Sequence, residues 1–267
     1  HTSSDRDWSS DVCSSDLEVG EIKGKEGLST VDEAMFLIQG LNAHGIFPDW
    51  IALNNGTTHG IEASAQGIQV DLTADIHRAL EKYKVSGAQH GTSGNSSERL
   101  REIAARTHTT KANVATALQM VSWGLRVNDY GNAILDDAGR FIKEKDRGMS
   151  DELWAEIVAY ADSKGYKPGD YKNLNLPYEN KLLSQPREIR ERMTAGVEEF
   201  AFTMMTEVFN ARDTAPLAIE AILSAGTFDL GPKAERLEDP GDWTAERITA
   251  RAAAITGDKG PVGNFED

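Results

Sequence analysis

The chain has 267 residues, of which 39% are hydrophobic and 27% charged, and its formal net charge is -15. This is ordinary composition for a globular protein of one large or two small domains. The acidic balance repels a polyanion such as nucleic acid while leaving room for a small anion held by a few backbone amides.

No apolar run approaches the roughly 20 residues of a membrane span, and no charged start leads into an apolar core. The single cysteine, Cys13, rules out an internal disulfide framework and suits a cytoplasmic location. Residues 1–17, HTSSDRDWSSDVCSSDL, repeat SSD without helical or strand period and are expected to be disordered. The phrase SSDVCSSDL resembles translated sequencing-adapter read-through, so a non-native leader is expected there, with the protein proper starting near Glu18 and lacking its own beginning.

From Glu18 short apolar segments alternate with helical patterns. EVGEIKGKEG reads as a strand end entering a Gly- and charge-rich loop. A helix follows with Val31, Ala34, Met35, Ile38 and Leu41 on one face. Thr30 and Glu33 make a capping box, and Gly45 ends it. WIALNN (50–55) is a buried-strand candidate before the turn-rich GTTHG. Residues 73–84 read as a helix, VSGAQ (85–89) as a strand, 96–105 as a helix, and Lys111 to Val114 as a strand whose helix starts near Thr116.

Four β-then-α units in this space predict a parallel sheet. The expected architecture over residues 18–132 is α/β, a (β/α)8 TIM barrel or, as the alternative, a doubly wound open sheet. In such barrels the ends of the strands carry the chemistry. An all-helical extension is expected over 133–226, with helical patterns at 133–145, 150–164, 186–209 and 213–225. The stripe Ile189, Met193, Val197, Phe200, Met204 and Val208 reads as packing surface. Residues 227–267 read as a weakly packed tail around one amphipathic segment near 243–255.

His59 and His90 each end a predicted strand and precede a glycine, an arrangement that suits a metal ligand beside a closely approaching backbone. His44-Gly45, a helix terminus, shows how little the dipeptide says alone. HGTSGN (90–95) stands before a helix, where glycines can turn backbone N–H groups outward and the helix N-terminus adds positive potential. The same residues also read as a plain turn capped by Asn95 or Ser96. KANVAT (111–116) repeats the geometry one unit later. Glu18, Glu21 and Glu26 flank a glycine-rich loop, where a carboxylate could act as an acid or base. His77, on a charged helix face, and His108, in a polar loop, receive no role.

Taken in order, EVGEIKG-KEG, GTTHG, QHGTSG and KANVAT resemble the class II fructose-bisphosphate and tagatose-bisphosphate aldolases over roughly residues 18–126, and NVAT is closer to the tagatose-type branch. The resemblance implies Zn2+ held by His59 and His90, and a second mono- or divalent cation near Glu18. It also implies a proton-transferring Glu26, with Lys25 where the family has an acid. Gly60, Gly91, Thr92, Ser93, Asn113, Val114, Ala115 and Thr116 would hold dihydroxyacetone phosphate. The implied reaction is reversible cleavage of a ketose 1,6-bisphosphate into two triose phosphates, by a parent enzyme forming a homodimer or larger homo-oligomer. No Leu-Asp-His type motif, the family's source of a third zinc ligand and an aspartate acid/base, precedes Glu18. The resemblance therefore implies that the four units over residues 18–132 are the C-terminal half of a (β/α)8 TIM barrel, and that the chain as it stands is inactive. The rival readings are another phosphate-binding barrel lyase or epimerase, and a non-catalytic assembly fragment.

Overall fold

A computed structural model describes residues 16–19, 27–56, 67–93, 95–128, 131–225 and 234–255. Four short strands form one parallel sheet in the order β1-β2-β3-β4: β1 Asp16–Val19, β2 Trp50–Leu53, β3 Ser86–Gln89 and β4 Thr109–Ala112. The register pairs Glu18 with Ala52, Ala52 with Ala88, and Gln89 with Ala112, with an irregularity between Gly87 and Ala88. Sequential neighbours that run parallel need a crossover each, and helices supply it. β1 begins two residues ahead of the expected start at Glu18, and β4 lies two residues earlier than Lys111–Val114.

The crossovers are α1 Val31–Ala43, α2 Val70–Leu80 with a 3-10 turn to Tyr83, and α3 Ser97–Arg106. α1 starts as its sequence requires. The Thr30 hydroxyl accepts from Glu33 N at 3.2 Å, and Glu33 Oε2 accepts from Thr30 N at 2.7 Å. Such a cap contributes about 1 kcal/mol. Ala34 and Ile38 of α1 pack with Ile51 and Leu53 of β2 and with Ile76 and Leu80 of α2, forming the core that fixes the sheet.

α4 Thr116–Trp123 leads into a second, aromatic core in which Trp123, Phe141, Trp154 and Tyr171 meet edge to face or tilted. α5 Asp151–Lys164 joins it, capped by the Ser150 hydroxyl and closed by Gly165 in the left-handed conformation. A 3-10 stretch, Pro168–Leu174, continues into α6 Asn175–Leu183, two elements the sequence reading left without structure. α7 Arg187–Thr203 ends in a π-turn at Met204–Val208, and its predicted stripe packs as expected: Met193 against the aromatic core, Met204 and Val208 against α3.

The helix expected over 133–145 does not form. Leu125–Val127, 133–135 and 141–143 instead make antiparallel bridges, Leu125 to Lys143, Val127 to Ala133 and Leu135 to Phe141. The local reason is Asp136, whose carboxylate accepts from Ala138 N and Arg140 N, both at 2.9 Å. With Gly139 at φ 72° this closes a turn.

α8 Ala215–Ala225 follows, then a 3-10 turn at Pro240–Asp242 and α9 Ala245–Ile255. Within the expected weakly packed tail, residues 235–243 are held to α1, whereas α9 buries no residue. Asn42 Nδ2 donates to Glu235 O at 2.8 Å, and its Oδ1 accepts from Leu237 N at 2.7 Å and Glu238 N at 3.1 Å. Trp243 is buried against Phe36. Among the described residues no helix is long and apolar enough to cross a membrane.

Candidate active site

The parallel sheet brings the ends of β3 and β4 side by side, and the loops leaving them meet. His90 follows directly on Gln89, the last residue of β3. Gly91, at φ 61°, turns the chain back toward α3. Within the loop the Thr92 hydroxyl donates to Gln89 O at 3.0 Å, and Asn95 Nδ2 donates to Gly91 O at 2.7 Å. Thr92, Ser93 and Asn95 are buried, whereas His90 and Gly91 are half-buried. The loop is thus braced from inside and offers its outer rim.

The β4 loop is tied to it at three points. Asn113 N donates to Gln89 O at 2.9 Å, and Ala117 N, in the first turn of α4, donates to the Ser93 hydroxyl at 3.2 Å. Asn113 Nδ2 lies 2.7 Å from His90 Nε2. Ser93 Oγ accepts from the helix and keeps its own hydrogen to donate. Thr92 has turned its hydroxyl inward, so what it can offer an anion is its backbone N–H. Ala115 is exposed, and Asn113 and Thr116 half-buried, at the start of α4. Val114 instead lines an apolar groove of about 510 Å³ beside β4, shared with Leu100, Phe200, Met204 and Phe209.

Of the remaining candidates, Glu18 occupies the third position of β1, paired with Ala52. His59, Gly60 and Glu26 lie outside the described residues. Among the described residues no group of three or more His, Cys, Asp or Glu gathers as a metal site. Catalytic zinc takes three protein ligands. The described donors alone do not make up a zinc site.

His77 is not on a charged surface. It is buried, with Nδ1 lacking a hydrogen-bond partner, and it lies against Gly87. Burial, reinforced by the nearby His108, lowers its pKa to about 4. Sequence reasoning also passed over Asn54, Asn55 and Gln89, all buried at the ends of β2 and β3. The visible signal was two asparagines directly after an apolar strand, a place where polar residues either solvate a turn or serve a buried network.

A crystal structure from Coccidioides immitis, of a protein provisionally named a fructose-1,6-biphosphate aldolase, is 17% identical with a TM-score of 0.43. The alignment covers 76% of this chain and 54% of that one, so the chain spans about half its length. No curated protein matches the sequence. The family model for class-II fructose-bisphosphate aldolase matches residues 12–167, a stretch that takes in β1 to β4, His59, the His90 loop and the Asn113 turn. More than half of the chain lies within that match, and the chain belongs to the class-II fructose-bisphosphate aldolase family.

Proposed function

We infer that the chain carries the phosphate-binding face, and part of the metal site, of a class II ketose-bisphosphate aldolase built on one side of a (β/α)8 barrel. The reaction is cleavage of fructose or tagatose 1,6-bisphosphate to dihydroxyacetone phosphate and glyceraldehyde 3-phosphate. The observation that supports it most is the joining of the His90 and Asn113 loops by the Ser93–Ala117 hydrogen bond. This sets a half-buried imidazole, a glycine turn and a helix N-terminus on one rim. Backbone amides there can fix a phosphate, so that binding energy remote from the reacting carbons aligns them.

In this reading His59 and His90 are two of the zinc ligands. Glu18 attends a second cation, and Glu26 carries a proton at the C4 oxygen. Zinc, when bound, supplies the Lewis acid that polarises the ketose carbonyl. The chain's own part is to hold the triose phosphate through Gly60, Gly91 to Ser93 and Asn113 to Thr116. A two-fold or larger homo-oligomer in the cytoplasm completes the reading.

The decisive experiment titrates the chain with dihydroxyacetone phosphate and with inorganic phosphate, with and without zinc. It then repeats the titration on Ser93→Ala. Saturable binding weakened about tenfold in the variant is expected, the loss of one hydrogen bond to a charged group. Binding that does not saturate, or that Ser93→Ala leaves unchanged, removes the reading. On the full-length parent enzyme, turnover of either bisphosphate, followed through the triose phosphates released, separates the fructose from the tagatose preference.

A further inference from the structure

Asn55 and Gln89 close the sheet beneath the His90 loop. They are 2% and 3% exposed, at the ends of β2 and β3, and they face one another as a reciprocal amide pair. Asn55 Nδ2 donates to Gln89 Oε1 at 2.8 Å, and Gln89 Nε2 donates back to Asn55 Oδ1 at 3.2 Å. The second hydrogen of each amide is also placed. Gln89 Nε2 donates to His90 O at 2.6 Å, and Asn55 Nδ2 donates to Thr73 Oγ1 at 3.1 Å. Turning over either amide alone would set like groups against like groups, so the network fixes both orientations.

The backbones of the same two residues hold the loops. Gln89 O accepts from the Thr92 hydroxyl and from Asn113 N, and so holds the β3 and β4 loops together. Asn55 O accepts from Gln69 N at 2.7 Å, and the Thr73 hydroxyl donates to Gln69 O at 2.8 Å, fixing the chain where it re-enters α2. Such a network, buried and fully satisfied, is rigid, because every broken bond leaves a polar group without water.

We propose that the Asn55–Gln89 amide pair is a positioning device that sets the His90 backbone, and through it the His90–Asn113 contact, for the phosphate and metal site. The proposal rests on the aldolase reading for the purpose of the site, but its geometric claim is separate. Neither side chain need touch substrate. Each acts through His90.

The test uses the full chain and two readouts. Heteronuclear NMR follows the His90 ring and the Asn113 side-chain amide, and titration follows inorganic phosphate affinity. Gln89→Leu and Asn55→Leu should each shift the His90 and Asn113 signals together and weaken phosphate binding at least about fivefold. The double variant should be no more than about twofold worse than the poorer single one, because one pair has been broken in both. Thr73→Val, which removes the two hydrogen bonds of the Thr73 hydroxyl and leaves the Asn55–Gln89 bonds themselves intact, supplies a milder version that should shift the same signals by a smaller amount. Ile76→Val, in the core of the same sheet, should lower the melting temperature and leave His90 unmoved.

His90 and Asn113 signals that stay in place in Thr73→Val and in the folded Leu variants would overturn the proposal. So would Ile76→Val moving them as much. A wild-type chain that binds no phosphate would remove the aldolase reading instead, and the His90 spectra would still decide the amide pair.

Discussion

Asn113 Nδ2 lies 2.7 Å from His90 Nε2, across the ends of two neighbouring strands. With the amide hydrogen donated, the imidazole nitrogen is an acceptor and the ring proton sits on Nδ1. A cation arriving at Nδ1 would move that proton to Nε2, and Asn113 would then have to present its oxygen. Histidines that bind metals are usually oriented by such a second partner.

Zinc affinity should therefore respond to Asn113 even though Asn113 need not be a ligand. Asn113→Leu is expected to weaken zinc binding by about tenfold or more, the range found when such partners are removed. Asn113→Asp, which can only accept while ionised, should hold or raise affinity through Nδ1. Competition against a chromophoric chelator measures both. Equal affinity in wild type and Asn113→Leu would show that His90 either does not bind the metal or is oriented by something else.

The second prediction concerns His77. Its folded pKa, about 4, lies below the ordinary histidine value of 6.5, so the folded state prefers the neutral ring. The unfolded chain then binds more protons between those two values, and stability rises with pH there. The contribution is complete above about pH 6.5 and is lost as pH falls toward 4, on the order of 3 kcal/mol in all. Denaturant unfolding at pH 7 and pH 5 should show the drop, and His77→Leu should flatten it by close to one proton. A pH slope identical in that variant would exclude His77 as the source. A methyl on Gly87 would meet His77 Cε1 at 2.1 Å. Gly87→Ala should accordingly cost roughly 1–3 kcal/mol, most of it recovered when His77→Ala is added.

Gly124 and Gly148 lie back to back at the edge of the aromatic core. Both take positive φ, 75° and 60°, and a Cβ on Gly148 would stand 2.1 Å from Gly124 N. A backbone atom cannot swing aside as a side-chain tip can. Gly148→Ala should cost more than about 3 kcal/mol, with roughly 1 kcal/mol from conformation and the rest from the clash. Gly139 separates the two contributions. It has φ 72° and open space around it, so Gly139→Ala should cost only about 1 kcal/mol. Similar losses at both positions, by chemical denaturation, would mean that the close approach relaxes.

What could be read from the sequence was what short-range chemistry decides. The Thr30–Glu33 capping box announces α1, Ser96 offers a cap for α3, and the apolar run at 50–53 announces β2. The bridged segment at 133–145 was misread because its apolar residues fall at spacings a helix also allows, while the Asp136 turn is set by one carboxylate. His77 had a signal that was overlooked. Val70, Thr73, His77 and Leu80 follow a 3-4-3 spacing, and all four are buried, while the charges of Asp75 and Arg78 suggested the opposite face. At the site, His90 and Asn113 were legible as strand-end residues, and their loops do meet. The Asn55–Gln89 pair was not, since it joins positions 34 residues apart, and only the parallel register brings them together.

The C-terminal segment offers the last prediction. Trp243 is 5% exposed, its ring centroid 5.5 Å from that of Phe36, and its edge is 3.3 Å from where a Gly40 Cβ would stand. A tryptophan ring enclosed in this way holds by area, so Trp243→Ala should remove about 3 kcal/mol of local binding. The loss should be confined to the segment, because the core of α1, built from Ala34 and Ile38 on its opposite face, remains packed against Ile51 and Ile76. Limited proteolysis should then cut the variant first within 234–255, while α1, β2 and α2 stay protected. Asn42→Leu, which removes three hydrogen bonds to residues 235–238, should give the same pattern. If cleavage begins within α1 or β2 instead, the segment is part of the main cooperative unit rather than a strap across it.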